Sequence, residues 1–177
     1  NGGVVVNANG TVDYTHIGSE TASDSFDYTI KDNSGATSNA ATVNVTVTPV
    51  NDPPTAIDDT ASVSEGMTRT INLTVNDTDV DGTINVTTIV ITTDPINGTV
   101  AINGDGTVDY IHDGTDTISD SFAYEVNDNS GATSNIATVN VTVTPFNDDP
   151  QANPDSGTVA EGGTTAVDLA TNDTDVR

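Results

Sequence analysis

The sequence predicts an all-β chain made of tandem β-sandwich repeats about 96 residues long. Three observations carry that prediction. The chain repeats itself without gaps, its apolar residues alternate with a period of two between turn dipeptides, and no segment sustains a 3.6-residue period.

The repeat fixes the boundaries. Val12-Asp13-Tyr14 returns as Val108-Asp109-Tyr110, Asp24-Ser25-Phe26 as Asp120-Ser121-Phe122, and Asn51-Asp52 as Asn147-Asp148. Glu65-Gly66 returns as Glu161-Gly162, and Asn76-Asp77-Thr78-Asp79 as Asn172-Asp173-Thr174-Asp175. Every offset is 96, and residues 1–50 match residues 97–146 at 34 of 50 positions. The chain therefore divides into the back part of one repeat (1–50), a complete repeat (51–146) and the front of a third (147–177). It opens mid-pattern at Asn1-Gly2-Gly3 and reads as a window onto a longer protein. A unit of this length suits a self-contained sandwich better than a helical solenoid.

Within the complete repeat the strands follow in order. Ile71, Leu73 and Val75 alternate with Asn72 and Thr74, predicting a strand that ends at Val75. Phe122, Tyr124 and Val126 alternate with Ala123 and Glu125, and Val139, Val141 and Val143 with Asn140, Thr142 and Thr144. Turns are signalled at Asp81-Gly82, Asn97-Gly98, Asp105-Gly106 and Asn129-Ser130-Gly131. About seven strands per repeat follow. The linkers Thr48 to Pro54 and Pro145 to Pro150 are short and rich in proline, which favours an extended backbone and end-to-end neighbours.

Composition narrows the class of function. Twenty-seven Asp and Glu stand against three Lys and Arg, a formal charge of −24. Such a surface repels nucleic acid and anionic membranes, so neither is expected as a partner. Aromatic content is 4% and hydrophobic content 33%, enough for small Val- and Thr-rich sandwiches but not for one large core. There is no cysteine, hence no disulfide framework and no thiolate metal site. No apolar run approaches the length of a membrane span.

The acidic residues are placed, not scattered. Asp77-Thr78-Asp79-Val80-Asp81-Gly82 sets three carboxylates at alternate positions before a glycine turn, a pattern able to converge oxygens on one hard cation. An EF-hand is excluded, because its twelfth position falls on Thr88 and its flanks are strands. Glu65, Asp120, Asp128, Asn147 and Asp148 fall where a sandwich brings residues to its ends. Two carboxylates about 4 Å apart repel by roughly 1 kcal/mol even in bulk water, so packing several together calls for a cation.

The order of these features resembles the cadherin-like and bacterial Ig-like repeats of giant bacterial surface adhesins. It runs from a Glu after the first strand to a DxDxDG-like loop, an aromatic strand closing in Asp-x-x-Gly, and an Asn-Asp-Pro-Pro linker. The resemblance implies an immunoglobulin-like Greek-key sandwich with Ca2+ held between successive repeats. It implies ligands Asp24, Asn51, Asp52, Asp77, Asp79 and Asp128 at the first junction, with Asp81 beside them. At the second it implies Glu65, Asp120, Asn147, Asp148, Asp173 and Asp175. The Asp-Arg-Glu signature of animal cadherins is absent, which leaves the number of ions per junction open.

Other chemistries find no footing. His16 and His112 occupy one repeat position 96 residues apart and cannot converge on zinc within a repeat. No Ser-His-Asp order or nucleophile elbow occurs, and no aromatic platform accompanies the acids as a sugar site would need. The sequons at Asn72, Asn85 and Asn140 are what Asn- and Thr-rich strands produce by chance. Lys31 is the only lysine and becomes Asn127 in the next copy, so a repeat-encoded isopeptide is excluded. The expectation is a non-enzymatic, extracellular, calcium-binding stalk segment of an adhesin serving cell adhesion or biofilm. Its partners are adjacent repeats and, at most, other copies or a surface or matrix receptor. Two alternatives stand beside it: a module that binds sugar or protein directly, and a filament subunit completed by half-repeats from neighbouring chains.

Overall fold

A computed structural model describes residues 1–175. All eleven elements among them are strands, and they divide into two units, Asn1–Asp52 and Pro53–Arg177. No helix among the described residues is long and apolar enough to cross a membrane.

The first unit holds two antiparallel hairpins. Strand β1 (Gly2–Val6) pairs with β2 (Val12–His16), and β3 (Ser23–Tyr28) with β4 (Ala41–Thr46). The second unit holds β5 (Asp59–Ser64), β6 (Thr68–Asn72), β7 (Ile84–Thr93), β8 (Gly98–Ile102), β9 (Thr107–His112), β10 (Ser119–Asp128) and β11 (Ala137–Thr144). These seven form a four-stranded sheet, β5-β11-β10-β7, and a three-stranded sheet, β6-β9-β8. Both hairpins of the first unit are the 96-residue translations of β8–β9 and β10–β11.

The sandwich core follows from the alternation along its strands. Phe122, Tyr124 and Val126 of β10, Val139, Val141 and Val143 of β11, and Val108 and Tyr110 of β9 meet Leu73, Ile71 and Val63. The Tyr110 and Phe122 rings stack with centroids 6.2 Å apart, a packing that adds to area burial. Gly98 is required where β8 crosses this layer: a Cβ there would lie 2.5 Å from the Ile111 carbonyl oxygen and 3.0 Å from the Tyr110 ring.

Two expectations need correction. The strand over 71–75 stops at Asn72, because its partner β9 begins only at Thr107 and Gly106, at φ 90°, turns away; the Leu73 amide makes one last bond in register, to the Gly106 carbonyl, so Leu73 is buried but Val75 is exposed. Ala123 is buried rather than solvent-facing, at a register shift in the β10–β7 pairing.

One pairing positions the site. β5 runs parallel to β11, with Asp59 opposite Val139 and Ser64 opposite Thr144. The chain therefore comes into the sandwich at one end and leaves it at the other. Residues 147–175 add no strand. They do repeat one local knot: Gln151 bridges Thr174 as Thr55 bridges Thr78.

A carboxylate cluster where the chain leaves the sandwich

Three segments converge at the outgoing end. β5 hands over to a tight turn beginning at Glu65, whose backbone amide donates to Thr144 O at 3.0 Å. The β9–β10 connection carries Asp116, and the outgoing linker carries Asp148. Carboxylate oxygens of Glu65, Asp116 and Asp148 lie within 4.8 Å of one another. Among the described residues this is the one place where three acidic or imidazole side chains meet in that way.

Glu65 is the anchor. Its side chain is only 6% exposed, and one of its oxygens accepts the Phe146 amide at 3.0 Å. That bond ties the first linker residues to the sandwich. Gly66, Met67, Gly114 and Phe146 line the cleft beside the acids. A hard cation with oxygen ligands at about 2.3–2.6 Å spans oxygens up to roughly 5 Å apart, so all three carboxylates are within reach of one ion. The donor set is oxygen only, and the protein's three Lys and Arg cannot neutralise its 27 acids. The residues present fit such an ion.

The other expected ligands are placed differently. Asp120 opens the strand at this same end but stands outside the cluster. It accepts the amides of Ile96 (3.1 Å), Asn97 (2.9 Å) and Ser121 (2.8 Å) and the Tyr110 hydroxyl (2.9 Å). Burial alone would raise its carboxyl, but these bonds outweigh it and hold the group below the usual range. Asp24 repeats the arrangement in the first unit, 2.8 Å from the Tyr14 hydroxyl. Asp128 is buried and takes the amides of Ser130 and Ala132 at 2.9 and 2.8 Å, organising the Asn-Ser-Gly turn. Asn147 bonds the Asp148 carbonyl, as Asn51 bonds that of Asp52.

Asp77 and Asp79 lie at the opposite, incoming end. Asp77 accepts the Ile57 amide at 2.8 Å and faces the Tyr124 hydroxyl at 3.0 Å. That hydroxyl also lies 2.7 Å from Leu73 O and 3.3 Å from Asp59. One proton thus serves several acceptors. Burial, then the Asp77 charge, push the Asp59 carboxyl up to about 6, and burial raises Asp77 as well. Asp79 takes the amides of Asp81 and Gly82 with one oxygen; its other oxygen and the Asn76 side-chain oxygen are enclosed without a hydrogen-bond partner. Asp173 repeats the first part of this knot by accepting the Asn153 amide at 2.8 Å, and Asp175 is exposed.

Asp116 escaped the sequence reading, although a signal existed. Glu20 occupies its position in the preceding copy, so an acid recurs there as it does at Asp52 and Asp148. Glu20 and Asp52 line one cleft of the first unit with His16, Gly18, Thr21 and Pro49.

A search of curated proteins returns no match. Similar solved structures include the endo-fucoidan hydrolase MfFcnA9 of glycoside hydrolase family 107, at 20% identity and TM-score 0.36 over 80% of this chain and 26% of that one. The chain thus spans about a quarter of that protein. Domains 4 and 5 of the S-layer protein SbsC match at 15% identity and TM-score 0.36, over 80% of this chain and 79% of theirs. The Bacteroides ovatus mixed-linkage glucan utilization locus protein SGBP-B, solved with a mixed-linkage heptasaccharide, matches at 15% identity and TM-score 0.25, over 88% of this chain and 37% of that one. A bacterial Ig domain model matches residues 1–46. The bacterial cadherin-like domain model matches residues 51–145, more than half of the sequence, and the chain belongs to that family.

Proposed function

We propose that this chain is a calcium-stiffened stalk segment of an extracellular surface adhesin, a structural module without catalytic activity. The observation that carries the reading is the convergence of Glu65, Asp116 and Asp148. Two of these belong to the sandwich and the third to the linker leaving it. Ca2+ bound among them would fasten the linker to the domain it leaves and restrict the direction of the next repeat. Without the ion, the same carboxylates repel and the linker beyond Phe146 is held less firmly.

The incoming end supports the same reading. The unpartnered oxygens of Asn76 and Asp79 are acceptors without donors, beside a surplus of acceptors around Tyr124. The charge of −24 gives the array a general need for divalent cations. Extracellular modules bind calcium at roughly 0.1–1 mM, so the ion would be present outside a cell and scarce inside it.

The test is chelation. Small-angle scattering of the chain in calcium and then in excess chelator should show the radius of gyration and its spread increasing as the linker loosens, with the melting temperature falling. Neither quantity changing would end the stalk reading.

A further inference from the structure

We propose that His112 is a positioning residue for the Glu65–Asp116–Asp148 cluster, its unprotonated Nδ1 tying together the two turns that carry Glu65 and Asp116. The inference rests on the reading of that cluster as a cation site, and it adds a residue that contributes no ligand atom of its own.

His112 is the last residue of β9 and is buried. Its Nδ1 accepts two backbone amides, those of Gly66 and Gly114, each at 3.2 Å. A ring nitrogen facing two N–H groups must present its lone pair to them. The proton of the neutral ring therefore sits on Nε2, which donates to Thr117 Oγ1 at 3.0 Å. Both nitrogens are engaged, so the ring is not a metal ligand.

The partners of the ring identify its role. Gly66 directly follows Glu65, while Gly114 and Thr117 bracket Asp116. A backbone bond from the His112 amide to Met67 O, at 3.1 Å, closes the same junction. Gly66 and Gly114 both have positive φ, 67° and 87°, and a Cβ on Gly66 would sit 3.9 Å from the Gly114 Cα. The two turns are thus in contact, with the imidazole as their common acceptor.

The first unit separates the local from the assembled part of this device. His16 Nδ1 accepts the Gly18 amide at 3.2 Å, and its Nε2 lies 3.0 Å from Thr21 Oγ1, around Glu20. The His-x-Gly loop and its acid therefore form from local sequence. What the complete sandwich adds is the second amide, that of Gly66, and with it the Glu65 carboxylate. The repetition of His at this position is thereby explained without zinc.

The experiment uses the whole 177-residue chain and calcium chloride, followed by NMR at the amides of Asp116 and Asp148. Residues that orient ligands from behind typically contribute about 10–100-fold in metal affinity, so His112→Ala should weaken calcium at these amides by at least about tenfold, while His112→Asn, whose Oδ1 can accept where Nδ1 does, should stay within about threefold. In calcium-free wild-type protein, a long-range proton–nitrogen spectrum should show His112 protonated at Nε2 only. A protonated Nδ1 overturns the proposal even if no variant folds. A wild-type chain whose Asp116 and Asp148 amides ignore calcium sinks the cation reading itself. Normal wild-type binding with His112→Ala unaffected, or with His112→Asn as impaired as His112→Ala, overturns only the positioning role.

Discussion

Two regions of this molecule carry nearly the same sequence in different surroundings. Residues 1–50 and 97–146 are 34/50 identical, yet Tyr28 is 48% exposed where Tyr124 is fully buried, and Val12 is 39% exposed where Val108 is fully buried. The local bonds, by contrast, are unchanged. Tyr14 bonds Asp24 as Tyr110 bonds Asp120, at 2.8 and 2.9 Å. Asp32 takes the Ser34 and Ala36 amides as Asp128 takes those of Ser130 and Ala132. Turns, hairpins and the histidine loop are therefore written into the back half of the repeat. Burial of the aromatic core and completion of the acidic cluster depend on β5, β6 and β7, which come from the front.

The comparison breaks most easily at the core. Phe122→Ala removes a ring packed against Tyr110 and should destabilise the second unit by about 3–5 kcal/mol. Phe26→Ala, at the half-buried equivalent, should cost less than half as much. Hydrogen exchange at the β10 and β3 amides reads each unit separately; equal losses would mean that the exposed face of the first unit is covered in solution.

The next effect is calcium itself. At a hundredfold excess over the dissociation constant, one site adds about 2.7 kcal/mol. Glu65→Gln should remove most of that gain from the second unit, read as the difference in urea midpoint with and without calcium, and leave the first unit's amides unaffected.

A smaller effect distinguishes Asp120 from the cluster. Asp120→Ala leaves the Ile96 and Asn97 amides and the Tyr110 hydroxyl without their charged acceptor, and should destabilise the fold by about 2 kcal/mol. Because its oxygens are committed to those donors, the calcium affinity measured at Asp116 should remain within about threefold of wild type. A loss comparable to that of Glu65→Gln would return Asp120 to the ligand set.

The smallest expected effect is a pH dependence at the incoming end. The folded-state carboxyl of Asp59 is raised to about 6, first by burial and then by Asp77, whereas an unfolded Asp titrates near 3.9. The folded chain therefore binds this proton more tightly. Its stabilising contribution is complete below about pH 4 and is lost as pH rises through 6. In chelator, wild type should gain on the order of 1 kcal/mol between pH 7 and pH 5, and Asp59→Asn should be more stable at pH 7 and lack the gain. Urea melts at the two pH values decide it. A wild-type chain that loses stability over that interval would mean the pair is already neutralised.

Much of the fold was legible because a 96-residue period and period-two alternation are carried by sequence alone. The strands β10 and β11 lie where the alternations of Phe122, Tyr124 and Val126 and of Val139, Val141 and Val143 place them. Val75 misled because alternation cannot see that the partner strand β9 begins only at Thr107, which leaves Val75 beyond the β6–β9 pairing. The acidic site was half legible. Glu65 and Asp148 follow from their positions at a strand end and in a linker, but the direction of a carboxylate depends on donors remote in sequence. Asp120 is claimed by the amides of Ile96 and Asn97, 24 and 23 residues away. Asp116 meets Glu65 where two turns remote in sequence touch, with His112 Nδ1 accepting an amide from each, a contact that the recurrence of an acid at this position does not reveal.

The central claim is that the front half of a repeat supplies the carboxylate that turns a pair of acids into a cation site. Crystals of the chain grown in abundant calcium test it most directly. The account predicts a strong anomalous peak about 2.3–2.6 Å from oxygens of Glu65, Asp116 and Asp148, with a weaker peak or none between Glu20 and Asp52. Water alone among the three carboxylates, at well-resolved density, would contradict it.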